Sequence, residues 1–156
     1  MTPTPVSEAN TPQESGCVSD TAPFPILVVN TGKPAAFCKR ALAGEPLVVY
    51  GDGTQTRDFV FVEDLSRGIA AAVADGRKGV VAHLASGTET TVLEVARLVA
   101  ERLGGVSIEH RPARVGDVAR SASDISTARE LFGFTPRVTL RDGLDRTVDW
   151  FRESDS

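Results

Sequence analysis

Two stretches of the chain place arginine, aspartate and phenylalanine at spacings suited to an anionic ligand. In Gly51-Asp52-Gly53-Thr54-Gln55-Thr56-Arg57-Asp58-Phe59, a glycine turn delivers Arg57 to a strand edge, and Phe59, two residues on, faces the same way. A guanidinium there can grip a diphosphate through two parallel hydrogen bonds while the ring covers an apolar face. The same spacing suits a plain ion pair at Arg57, with Phe59 and Phe61 in the core. In Arg111-Pro112-Ala113-Arg114-Val115-Gly116-Asp117, Arg114 is followed three residues later by Asp117, a carboxylate able to accept hydrogen bonds from a ribose diol. Gly116 permits the turn between them, although an ordinary solvated loop has the same composition.

Other chemistries lack their parts. A dinucleotide-binding loop needs G-x-G-x-x-G directly after a strand, because the backbone must approach a pyrophosphate there. Gly51-Asp52-Gly53 has no third glycine at the required place, and Gly32-Lys33 lacks the rest of a phosphate loop. Tyr50 is the only tyrosine and Thr54 stands four residues on, so a tyrosine acid or base assisted by a lysine one helical turn later is excluded. No Ser, Cys or His is paired as an activated nucleophile would be. His83 lies in an apolar run and is expected to be a hydrogen-bonded core histidine rather than a catalyst. With His83, His110, Cys17 and Cys38 as the only histidines and cysteines, neither a zinc site nor a disulfide framework is expected.

The elements that must position these residues read as α/β. Residues 1–23, rich in Thr, Pro, Ser, Glu and Asn, cannot bury enough surface to offset ordering entropy and predict a disordered tail. Pro25–Val29 predicts a buried strand closed by Asn30-Thr31-Gly32, and residues 24–34 read as strand or linker. A helix is expected over 35–43, stopped by Gly44, followed by a strand at Leu47–Tyr50 and another at Arg57–Val62. Leu65, Ile69, Ala72 and Val73 recur at helical spacing through 63–75, and Gly79–Leu84 reads as the next buried strand. Thr91 and Glu94 suggest a capping box before the apolar stripe Val92, Ala96, Val99 and Leu103. The last third repeats this grammar. A strand at Val106–Glu109 precedes a helix capped by Asp124 and closed by Gly133, and Thr139 caps a final helix bearing Leu140, Leu144, Val148 and Phe151. Helices packed against a sheet are the expected arrangement.

The 156 residues leave room for one domain, and the formal net charge of −4 provides no positive field for nucleic acid or an anionic membrane. No apolar run approaches the roughly 20 residues of a membrane-spanning helix, and no secretory signal stands at the amino terminus, so a cytoplasmic protein is expected. Arginine outnumbers lysine fourteen to three, which fits phosphate recognition or simple codon bias.

Taken in order, these motifs resemble a known family. Leu47 to Asp64, with its core Tyr50-Gly51-Asp52-Gly53-Thr54-Gln55-Thr56-Arg57-Asp58-Phe59, is similar to a signature of the extended short-chain dehydrogenase/reductases that act as NAD-dependent sugar-nucleotide epimerases and dehydratases. The likeness continues through His83-Leu84-Ala85-Ser86-Gly87, where the family commonly has Asn at the first position, and Arg114-Val115-Gly116-Asp117. It also takes in Asp124 to Leu131, Gly133-Phe134-Thr135-Pro136, and Gly143-Leu144 to Trp150-Phe151.

The resemblance covers roughly residues 35–153 and implies the carboxy-terminal, substrate-binding part of such an enzyme. It further implies that Arg57 and Arg114 contact the diphosphate of a nucleoside-diphosphate sugar, that Phe59 and Asp117 lie against the nucleoside, and that Val48 and Tyr50 line the base. Many members have tyrosine where Phe59 stands, so the hydroxyl's hydrogen bond is missing while the ring contact remains. The family's glycine-rich NAD loop and Tyr-x-x-x-Lys pair have no counterpart here. The chain alone is therefore expected to bind no cofactor, to have no catalytic residue and to be inactive. It would serve as a truncated, split or decayed enzyme, as a free-standing binding module, or as an interaction module docking to a cofactor-binding subunit or to a second copy through apolar surface left uncovered.

Overall fold

The computed structural model describes residues 27–28 and 33–154. The expected tail at 1–23, Cys17, the turn at 30–32 and most of the Pro25–Val29 strand lie outside the described residues. Leu27–Val28 form a short strand, β1, antiparallel to Val60–Phe61 (β4), with Leu27 opposite Phe61. The remaining elements are α1 (Lys33–Leu42), β2 (Leu47–Tyr50), β3 (Thr56–Asp58), α2 (Val62–Asp75), β5 (Glu89–Thr91), α3 (Val92–Arg102), β6 (Ile108–Arg111), α4 (Ser126–Phe132) and α5 (Leu140–Ser154).

The class is mixed α/β, as expected, but among the described residues no continuous sheet backs the helices. The strands form three separate two-stranded ladders: β1 with β4, β2 with β6, and β3 with β5. Only β2 and β6 are parallel, and their register sets Tyr50 beside Arg111. The core lies where α1, α3 and α5 close around β2. It contains Phe37, Leu47, Val49, Val95, Val99 and Val148, with Phe59 and Phe61 entering from the β3–β4 segment. Leu47, Val49, Val99 and Val148 are fully buried, and a side chain of that kind contributes roughly 1.5–3 kcal/mol.

Capping chemistry sets several ends where the sequence placed them. Thr91 Oγ1 accepts a hydrogen bond from Glu94 N at 3.1 Å. Asp124 Oδ1 accepts one from Ser126 N at 2.9 Å, but the N-cap of α4 is Ile125, one residue beyond the expected Asp124, and no side chain caps it. Thr139 Oγ1 accepts from Asp142 N at 3.2 Å and donates to Asp142 Oδ2 at 2.7 Å. Gly133 closes α4 in the left-handed region at φ 64°, which a residue without Cβ adopts freely.

Five expectations are corrected. The Arg57–Val62 strand is broken at Phe59, and Val62 already begins α2. The Leu65/Ile69/Val73 stripe of α2 does not face the core: the helix buries Asp64 and Gly68, while Ile69 and Val73 are 50% and 75% exposed. Asp64 holds that orientation by accepting hydrogen bonds from Arg137 N at 3.0 Å, Val138 N at 2.9 Å and the Arg67 guanidinium. Gly79–Leu84 forms no strand and is largely exposed, with Val81 84% accessible, because no described strand runs beside it. His83, within this run, is exposed rather than a core histidine. The strand expected at Val106–Glu109 starts two residues later, at Ile108.

Candidate functional site

The parallel pairing of β2 with β6 brings both predicted clusters to one end of the molecule. Tyr50 closes β2 and Arg111 closes β6, so the loop that follows β6 returns over the tyrosine. There the Arg114 guanidinium stacks on the Tyr50 ring, its carbon 3.8 Å from the centroid, a geometry in which a cation faces the negative side of the π system. Arg114, and after it Arg111, lower the Tyr50 phenol below its ordinary value. A cleft of about 280 Å³ opens here, lined by Lys33, Ala36, Phe37, Arg40, Val48, Tyr50, Arg111 and Arg114. Across Tyr50 and Arg114 lies a second hollow of about 190 Å³, bordered by Gly51, Asp52, Thr54, Gln55, Ala113, Asp117 and Ala119.

Arg57 supports this region from beneath. It is 5% exposed. Its Nη1 donates to Thr56 O and Val118 O, both at 2.6 Å, and its Nη2 donates to Asp117 Oδ1 at 2.6 Å. Thr56 N donates to Ala119 O at 2.9 Å, tying the same loop to β3. The two clusters therefore meet through an ion pair between their own members, Arg57 and Asp117. Arg57 makes the plain ion pair that its spacing also allowed, and its carboxylate partner is the other predicted site residue. Arg114 forms no ion pair among the described residues and is engaged with Tyr50.

The turn that aims Tyr50 is internally braced. Asp52 Oδ1 accepts from Thr54 N at 2.9 Å and from Thr54 Oγ1 at 2.7 Å, which holds the Asp52 carboxyl below its ordinary value. Gln55 Nε2 donates to Tyr50 O at 3.0 Å, and His110 Nδ1 sits 2.8 Å from Gly51 O. Gly53 (φ 80°) has no room for a side chain: a Cβ there would fall 2.8 Å from Leu93 Cβ and 2.9 Å from Val49 Cγ1.

Of the six residues expected at the site, Val48, Tyr50 and Arg114 line the larger cleft, Asp117 the smaller, and Arg57 holds Asp117. Phe59 is not brought to them. The break in the strand turns its ring toward a separate cleft of about 260 Å³ bordered by Ser86, Thr88, Thr90 and residues 136–140. Lys33, Arg40 and Arg111 were missed. The first two share a face of α1 with Ala36, a spacing of three and four residues that could have marked them once the helix was extended back to Lys33.

A metal is not indicated: no group of three or more His, Cys, Asp or Glu among the described residues could hold one. Nor do the described residues suit a nicotinamide dinucleotide. The glycine turn after β2 leads into β3 rather than into a helix, and the space beside Gly53 is taken by Val49 and Leu93 instead of being open to a pyrophosphate. No described helix is long and apolar enough to cross a membrane.

Sequence and structure comparisons point to one class. Residues 28–85 match the NAD dependent epimerase/dehydratase family. UDP-glucuronic acid decarboxylase 2 of Arabidopsis thaliana is 39% identical over 131 residues, which is 83% of this chain and 29% of the plant protein. The crystal structure of UDP-glucose 4-epimerase from Thermotoga maritima with UDP-glucose superposes with a TM-score of 0.73 at 34% identity, covering 79% of this chain and 40% of the epimerase. UDP-glucuronic acid 4-epimerase from Bacillus cereus, solved with UDP-glucuronic acid and NAD, gives a TM-score of 0.73 at 28% identity, covering 78% of this chain and 40% of that one. The chain is thus homologous to part of the NAD-dependent sugar-nucleotide epimerases and dehydratases, and it spans well under half the length of these relatives.

Proposed function

We propose that residues 35–153 are the substrate-binding portion of an extended short-chain dehydrogenase/reductase of the epimerase/dehydratase type, acting in the cytoplasm and binding a nucleoside-diphosphate sugar without turning it over alone. The observation that carries this reading is the convergence of Arg57–Asp117 and Arg114–Tyr50 on adjoining hollows beside the end of β2. Arg114 leaves the Tyr50 face to grip the diphosphate, Tyr50 and Val48 then offer apolar surface to the base, and Asp117, fixed by Arg57, accepts from the ribose hydroxyls. Hydride chemistry would be supplied by NAD held on residues outside 35–153. Titration calorimetry tests the proposal: UDP-glucose or dTDP-glucose at millimolar concentration should give saturable heat, and NAD added to the mixture should give no product. Absence of heat with every nucleotide sugar refutes the binding role, and turnover by the single chain refutes its incompleteness.

A second reading, docking to a separate cofactor-binding chain, is favoured by the apolar surface at Ile69, Val73, Val80 and Val81. Gly79–Leu84 has the composition of a buried strand and lies against α2, since a Cβ on Gly68 would meet Leu84 Cδ2 at 2.8 Å. The edge of another chain's parallel sheet would satisfy both its backbone and its side chains. Mixing with a purified chain that carries a glycine-rich loop and a Tyr-x-x-x-Lys pair should restore turnover, and Val81→Lys should abolish that restoration. Equal rescue of Val81→Lys and the parent chain refutes this surface as the dock.

A further inference from the structure

Lys33 occupies a position that its contacts among the described residues do not justify. It is the first residue of α1, its side chain is only 18% exposed, and it lines the larger cleft together with Tyr50 and Arg114. Its nearest counter-charge among the described residues is Asp117 Oδ2 at 4.0 Å, too long for a hydrogen bond, and that carboxylate is already engaged by Arg57 at 2.6 Å. Nζ also stands 6.0 Å from the centre of the Tyr50 ring. Burial is the main influence lowering its pKa; the charges of Arg57 and Arg114 lower it further, against a partial offset from Asp117. An ammonium held half-dry beside two guanidiniums is costly unless a further anion enters the site.

We infer that Lys33 Nζ is a second cationic contact for the diphosphate beside Arg114, completing a site whose charge matches two ionised phosphates. This rests on the nucleotide-sugar reading above. Lys33, Arg57 and Arg114 set against Asp117 leave a net charge of +2, which a nucleoside-diphosphate sugar neutralises with one negative charge on each phosphate. Without Lys33 the site falls one charge short. The other cations on the cleft differ from it: Arg40 pairs with Glu45 at 3.1 Å and donates to Pro46 O at 2.7 Å, and Arg111, 3.8 Å from Glu109, is half exposed to water. Lys33 and Arg114 flank Tyr50 within reach of one ligand, whereas Arg57 acts from below through Asp117. An ammonium serves such a site as a point charge on a flexible stem, able to follow whichever phosphate oxygen lies nearest.

The test uses the whole chain with UDP-glucose, uridine and inorganic pyrophosphate as probes. Lys33→Gln should weaken UDP-glucose and pyrophosphate by about tenfold or more, the scale of one lost charge-assisted hydrogen bond, and should leave uridine within about twofold. Lys33→Arg should recover most of the lost affinity. In parallel, pyrophosphate should protect Lys33 from amine acylation, read by peptide mass spectrometry. Unchanged UDP-glucose affinity in Lys33→Gln overturns the inference, as does an equal loss for uridine and UDP-glucose, which would mark a structural role. Pyrophosphate protection without any UDP-glucose binding sustains the anion contact and sinks the nucleotide reading. Failure of pyrophosphate both to bind and to protect, with UDP-glucose still bound, sinks the contact alone.

Discussion

Replacing Arg57 by alanine separates a residue that builds the site from one that merely lines it. The side chain is 5% exposed and makes three hydrogen bonds of 2.6 Å, to Thr56 O, Val118 O and Asp117 Oδ1. A hydrogen bond involving a charged group contributes about 1.5–3 kcal/mol, and removing one partner of a buried ion pair costs about 3–5 kcal/mol. Asp117 is 26% exposed, so water compensates it in part and the lower end of that range applies. The expected loss is about 3 kcal/mol, a large share of the roughly 5–15 kcal/mol that holds a domain together. Arg57→Lys keeps the charge but cannot serve three acceptors in a plane, so about half the loss should remain. Urea unfolding followed by circular dichroism gives both numbers, and ligand affinity should be measured only where the variant is folded. A loss below about 1 kcal/mol for Arg57→Ala would show that the Asp117 loop does not depend on this latch.

Gly53→Ala should lower stability by about 2–4 kcal/mol, because its Cβ would crowd Leu93 and Val49 at a backbone φ of 80°; an unchanged Tm in calorimetry would refute the close approach. Acidification should destabilise the fold through exposed carboxylates held below their ordinary values: Glu89 by Arg120 and then Thr56, Asp52 by Thr54, and Asp124 by Ser126. Since these folded-state values are depressed, their contribution is complete above the ordinary values of 4.5 and 3.8 and is lost as pH falls through the folded ones. Urea titrations at stepped pH should show this slope, flattened in Glu89→Gln, and a variant as steep as the parent would exclude Glu89 as a source.

Much of the frame was legible because its signals are local. Thr91 and Thr139 announce their helices through side chains that bond within three residues, and Gly133 announces an end. The partner of Arg57 was not legible, since Asp117 lies far along the chain and only the β2–β6 register brings the loop back. Phe59 was misplaced for a related reason: alternation presumes an unbroken strand, and β3 ends at Asp58, whose carboxylate accepts from Ser86 N and Oγ and from Gly87 N. Ile69, Val73 and Val81 show the opposite failure. Their periodicity is sound, but it describes a surface whose counterpart is not among the described residues.

The parallel ladder joining Leu47–Tyr50 to Ile108–Arg111 has a kinetic consequence. Its two strands are separated by residues 51–107, so the pairing must await closure of a long loop whose entropy cost is met before any contact rewards it. Helices α3 and α5, with their local caps, can form early, while the cleft around Tyr50 exists only after the ladder has zipped. During refolding, recovery of ligand binding should therefore trail recovery of helical signal, and a chain emerging from the ribosome would acquire its pocket only after the β6 segment has been released.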